Sequence, residues 1–145
     1  MHVNNRKMRL QFPMVFLLFV CFSCLYNCSE TPYKQGAILY ENFCESCHMK
    51  DGSGLGGEIP PLAKADYLSK YGEKVPCIIQ QGISDSLMVN GKWYSQPMAG
   101  IEQLSAIEIT NIINYMHTSW GNELPPVSLQ EVNSWLEPCT RAEFR

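Results

Sequence analysis

The sequence predicts a mainly α-helical protein of about four to five short helices, with one small β-hairpin near residues 87–95. Three observations lead there. Apolar residues recur at helical spacing through 33–47 and 105–120. Two capping boxes, Ser105 with Glu108 and Ser128 with Glu131, mark helix starts, because each pair satisfies free backbone N–H groups of a first turn. Asn90-Gly91 lies between Val89 and Trp93, and Asn-Gly supplies the two positive φ angles that a tight hairpin turn requires.

The chain has 145 residues, so one domain is expected after any processing. Residues 1–11 carry Arg6, Lys7 and Arg9 and no acid, and residues 12–26 carry no charge. A basic start followed by an apolar run reads as an export signal over 1–28. The run is shorter than the ~20 residues that span a bilayer; an uncut anchor helix is the alternative. It ends in cysteines and resembles a bacterial lipoprotein signal, with Cys28 (Leu25 three residues before) or Cys24 (Ser23 just before) as the lipidation site. Either route places the protein on the periplasmic side, anchored to a membrane. Three of the 11 Lys and Arg residues fall in this segment and all 14 acids follow it, leaving the remainder at −6. That charge argues against nucleic acid as a partner and is compatible with a basic redox partner.

The exported part divides into a main domain, 29–121, and a C-terminal extension, 122–145. A first helix is expected over 33–47, its face formed by Ala37, Ile38, Tyr40, Phe43 and Cys44. Gly36 in its midst points to a close helix crossing. Residues 49–61, with four glycines and two prolines, form a loop able to lie flat against something large. Asp66 caps a short helix over 66–71, and a further helix runs over 73–81 and stops at Gly82. Residues 97–104 are a loop. The helix opened by Ser105 ends near Trp120, with His117 partly exposed in its last turn, where the helix dipole favours it. The helix opened by Ser128 covers 129–136.

Cys44-Glu45-Ser46-Cys47-His48 carries the chemistry. Cys-x-x-Cys-His is the spacing that attaches a c-type haem: two thiols for the porphyrin vinyl groups and an imidazole for the iron. A zinc site needs a second ligand pair, which Cys77 and Cys139 do not form. A thioredoxin-like motif belongs in a βαβ unit, whereas this one ends a helix. With Cys44 and Cys47 assigned, Cys77 and Cys139 remain, an even count outside the cytoplasm, and a disulfide between them is expected. An electron-transfer iron takes a sixth ligand, and thioether sulfur raises its potential. Met49 adjoins His48 and cannot cross the ring; Met116 belongs to a core stripe. Met98, in a loop beside Pro97 and Gly100, is favoured, and Met88 in the hairpin is second.

These features resemble the class I, monohaem cytochromes c over residues 33–121. Gly36, Tyr40 and Cys44-x-x-Cys47-His48 stand at the family's offsets, and the last large helix, with Tyr115, resembles the helix that crosses the first. The resemblance implies a cytochrome c-like bundle around one covalent haem c. It assigns Pro60, in Ile59-Pro60-Pro61-Leu62, as the carbonyl acceptor for the histidine's second nitrogen. It sets Gln96–Gly100 as the axial loop, with His48 and Met98 as the metal ligands, although Pro precedes Met here where many members have the reverse order. It also implies contacts of Trp93 and Tyr94 with a propionate or the ring edge. The implied function is electron carriage, not catalysis, between a dehydrogenase or respiratory complex and a terminal oxidase or reductase. The alternative is a haem-based ligand-binding or sensing protein with a labile sixth ligand.

Overall fold

The computed structural model describes residues 33–139. The segment 1–28 read as an export signal, with Cys24 and Cys28, lies outside them. Six helices and two short antiparallel strand pairs make up the described part, so the chain is mainly helical.

Helix α1 (Lys34–Phe43) and helix α2 (Glu45–His48) replace the single helix expected over 33–47. The correction lies at Cys44, whose φ of −121° and ψ of −34° interrupt the helix one residue before the second turn begins. α1 crosses α5 (Ala106–Thr118) at Gly36. A Cβ on Gly36 would fall on the Asn111 carbonyl oxygen and 2.8 Å from Tyr115 Cβ, so only a hydrogen fits between the two backbones. Beside that crossing, Tyr40 is 1% exposed, with its ring 5.5 Å from that of Tyr115.

Helix α3 covers Asp66–Lys70. Asp66 is not its N-cap: Ala65 holds that position, and no side chain caps the helix. Asp66 faces the hairpin turn instead. Its carboxylate accepts the Asn90 backbone N–H at 2.6 Å, and Asn90 Oδ1 accepts the Asp66 N–H at 2.9 Å. The helix's free donor is therefore satisfied from 24 residues away. A 3₁₀ turn, Gly72–Lys74, leads into α4 (Val75–Gln81), which ends at Gly82 with φ +81°.

Strands β2 (Leu87–Val89) and β3 (Lys92–Tyr94) form the hairpin, and Asn90 and Gly91 both take positive φ, as the turn requires. A second pair was not expected. β1 (Gly82–Ile83) joins β4 (Met98–Ala99), inside the stretch read as a loop, with Ile83 opposite Met98. Close approach makes this possible, since a Cβ on Gly100 would sit 2.6 Å from the Gln80 carbonyl oxygen.

Both capping boxes are formed, opening α5 at Ser105 and α6 (Leu129–Leu136) at Ser128. α6 packs on α4 and α5, and Val132, fully buried, belongs to the same core as Ile109, Ile112 and Ile113. A disulfide joins Cys77 of α4 to Cys139 just beyond α6, with Cα atoms 5.6 Å apart. His117 corrects another expectation. It is buried at 5% exposure, and its Nδ1–H donates to the Pro125 carbonyl at 2.7 Å. The segment after α5 folds back over it and excludes the water that an exposed histidine would meet.

Candidate haem site

A cavity of about 450 Å³ opens between α2, the 59–62 stretch, α4, the hairpin and β4. Its wall is mostly apolar: Leu68, Val75, Ile78 and Ile79 on one side, Ile112 and Met116 from α5, Leu87 and Val89 from the hairpin. Among the described residues, Asp85 is the one Asp or Glu in that wall, and no Lys or Arg lines it. Such a space admits a large, flat, apolar group and offers few polar partners.

Cys44, Cys47 and His48 all line it. The interruption at Cys44 positions them, with His48 N donating to the Cys44 carbonyl at 2.9 Å in the turn that follows. Both cysteines are free thiols; Cys44 is buried and Cys47 exposed. Burial, with Cys47 as a lesser cause, pushes the Cys44 thiol up to about 12, so it is protonated at neutral pH. His48 Nδ1–H donates to the Pro60 carbonyl at 3.1 Å. A carbonyl can only accept, so the proton sits on Nδ1, and Nε2 keeps its lone pair for a metal. Burial pulls the His48 pKa below its ordinary value, with the Pro60 hydrogen bond opposing in part. The ring is thus neutral, the form that ligates.

Met98 lines the same cavity, held by the β1–β4 pairing and by Ile101 N–H bonded to the Ile79 carbonyl at 2.9 Å. Pro97, which has no N–H, stands just outside that ladder, where none is needed. Met88 does not line the cavity and is 43% exposed. Tyr94 lines it, whereas Trp93, next along the strand, is 64% exposed outside it. The alternation of β3 turns one residue in and the next out, so Tyr94 and not Trp93 lines the cavity.

Three further residues hold the site; Tyr40 stood out in the sequence by its offset from the haem motif, whereas Trp120 and Asn122 gave little signal. Tyr40 donates its hydroxyl to the Met49 carbonyl at 2.7 Å. Trp120 donates Nε1–H to the Lys50 carbonyl at 3.0 Å, and its ring covers Gly52. Asn122, buried, bonds the 62–64 turn. Only the placement of Trp120 and Asn122 around Gly121, just after the last large helix, marked them.

A donor set of two free thiols and a neutral imidazole, in an apolar slot with a thioether in its wall, fits a covalently bound haem. Fold and site together define a monohaem c-type protein. The cytochrome c family model matches residues 33–120, and the chain belongs to that family, whose members are electron carriers with covalent haem c. It is similar to cytochrome c-552 of Thermus thermophilus, 34% identical over 91 residues, a span covering 60% of this chain and 69% of that protein. A further cytochrome c-552 from Thermus thermophilus is equally identical, with 61% of its length covered. The cytochrome c subunit of a quinone alcohol dehydrogenase from Gluconacetobacter polyoxogenes is 29% identical over 93 residues, 62% of this chain and 19% of that subunit.

Proposed function

We propose that this protein is an exported, membrane-tethered cytochrome c that carries single electrons between a dehydrogenase or respiratory complex and an oxidase or reductase. The observation that carries this reading is the shared placement of His48 and Met98 in the wall of one apolar cavity. Cys44 and Cys47 bind the haem through thioethers. His48 Nε2 and Met98 Sδ would hold the iron, and Pro60 orients His48. Haem c supplies an iron that cycles between Fe(III) and Fe(II). Ligation by His48 and Met98 would leave the iron no position for a substrate, and a Met ligand would favour the reduced state. The aliphatic wall limits water near the site, so little solvent would have to reorganise when the charge changes. The likeness to a dehydrogenase's cytochrome subunit supports a dehydrogenase as donor. The basic, apolar, cysteine-ended segment 1–28 supports export and a lipid tether at Cys28 or Cys24.

Visible spectroscopy of the purified holoprotein tests the site. A six-coordinate, low-spin spectrum in both oxidation states, unchanged under CO, is expected. A five-coordinate, high-spin reduced form that takes up CO overturns the carrier reading in favour of a ligand-binding haem protein. Mass spectrometry of the membrane fraction tests the tether: the expected mass includes haem and lipid and lacks the signal residues.

A further inference from the structure

The carbonyl that orients His48 belongs to Pro60, and Pro60 lies in a stretch without regular secondary structure. Two sets of bonds hold that stretch. Upstream, Leu55 and Ile59 pair through an isolated bridge. Downstream, Leu62 N–H and Ala63 N–H both donate to the Gly52 carbonyl, at 2.8 and 2.9 Å. One buried side chain completes the downstream hold. Asn122 Oδ1 accepts the Lys64 N–H at 2.7 Å, and its Nδ2 donates to the Leu62 carbonyl at 2.9 Å and the Met116 carbonyl at 2.8 Å. Asn122 is 8% exposed. Its amide thus ties the turn after Pro60 to the C-terminal end of α5, with every bond made to backbone. The same tail segment holds the other limb of the loop, through Trp120 on Lys50 and Gly52.

We propose that Asn122 is a positioning residue for the iron ligand: by fixing residues 62–64 on α5 it holds the Pro60 carbonyl on His48 Nδ1–H and so sets the reduction potential. A firm Nδ1–H···O bond makes the imidazole a stronger donor, which stabilises Fe(III). A loosened turn weakens that bond and raises the potential. The inference rests on His48 as the iron ligand.

The test compares holoprotein carrying Asn122→Ala, or the milder Asn122→Ser, with Asn114→Ala. Asn114 is a second buried asparagine that ties α5 to the tail, through the Val127 N–H and carbonyl, and its side-chain hydrogen bonds go to Val127 rather than to the 60–64 turn. All three variants are expected to lower the denaturation midpoint. Only the Asn122 variants should raise the reduction potential and speed solvent exchange of the His48 Nδ1 proton several-fold, followed by NMR in the reduced, diamagnetic protein. An unchanged potential in the Asn122 variants overturns the assignment, and so does an equal shift in Asn114→Ala. Loss of histidine ligation in the wild-type spectrum would sink the ligand assignment itself, a result separate from either. If Asn122→Ala does not mature with haem, Asn122→Ser carries the same comparison.

Discussion

His117 carries its clearest consequence in the pH dependence of stability. Burial lowers its pKa from the ordinary 6.5, and the hydrogen bond to the Pro125 carbonyl offsets that only in part. The unfolded chain therefore binds a proton more readily than the folded one. The stability tied to the neutral ring is present above about pH 6.5 and drains away as pH falls through the lower, folded pKa. Denaturant midpoints measured between pH 7.5 and 5 should fall on acidification, and the fall should be shallower in His117→Gln. An equal slope in the two proteins would show that other groups carry the effect. His48 is lowered by burial in the same way, but its role is the opposite of spare: its neutral form is the ligand. Cys44 and Cys47 differ in burial although they lie three residues apart and both line the cavity.

Among the elements, the tail helix α6 contributes more than its eight residues indicate. Its capping box satisfies its first turn, its Val132 fills the core, and the Cys77–Cys139 bond closes a loop of 62 residues back to α4. A cross-link of that span restricts the unfolded chain and stabilises by about 2–4 kcal/mol. The Cys77→Ser/Cys139→Ser double variant should lose about that much in guanidinium denaturation of the holoprotein, with the visible spectrum unchanged, since neither residue lines the cavity. A change in the spectrum would mean that α6 reaches the site through α4. The hairpin and α3 also depend on each other. The exchange of bonds between Asp66 and Asn90 gives each what its own sequence neighbours do not supply.

At the largest scale, the described unit, 33–139, is built as a wall around a space. At ~24 cal/mol per Å³, a cavity of 450 Å³ left without apolar contents would cost up to about 11 kcal/mol, comparable to the entire stability of an ordinary domain. Folding and haem attachment are therefore expected to be coupled. Protein expressed without cytochrome maturation factors should retain part of its far-UV helical signal, lose near-UV structure and bind a hydrophobic dye, the pattern of a loosely packed state. A cooperative denaturation at the holoprotein's midpoint would contradict this. Much of the architecture was legible beforehand wherever the cause is local. The two capping boxes, the Asn-Gly turn and the Cys44-x-x-Cys47-His48 spacing each lie within a few residues, and local chemistry decides them. Gly36 announced a crossing because a missing side chain has one common use at a helix interface. Tertiary packing decided the rest: which side of β3 faces the cavity, so that Tyr94 lines it and Trp93 does not; that Met98 sits in a strand pair with Ile83; that His117 is buried; and that Asn122 holds the turn behind His48. Those placements depend on partners 8 to 60 residues away, and a hydrogen bond or contact of that range exists only once the chain has closed on itself.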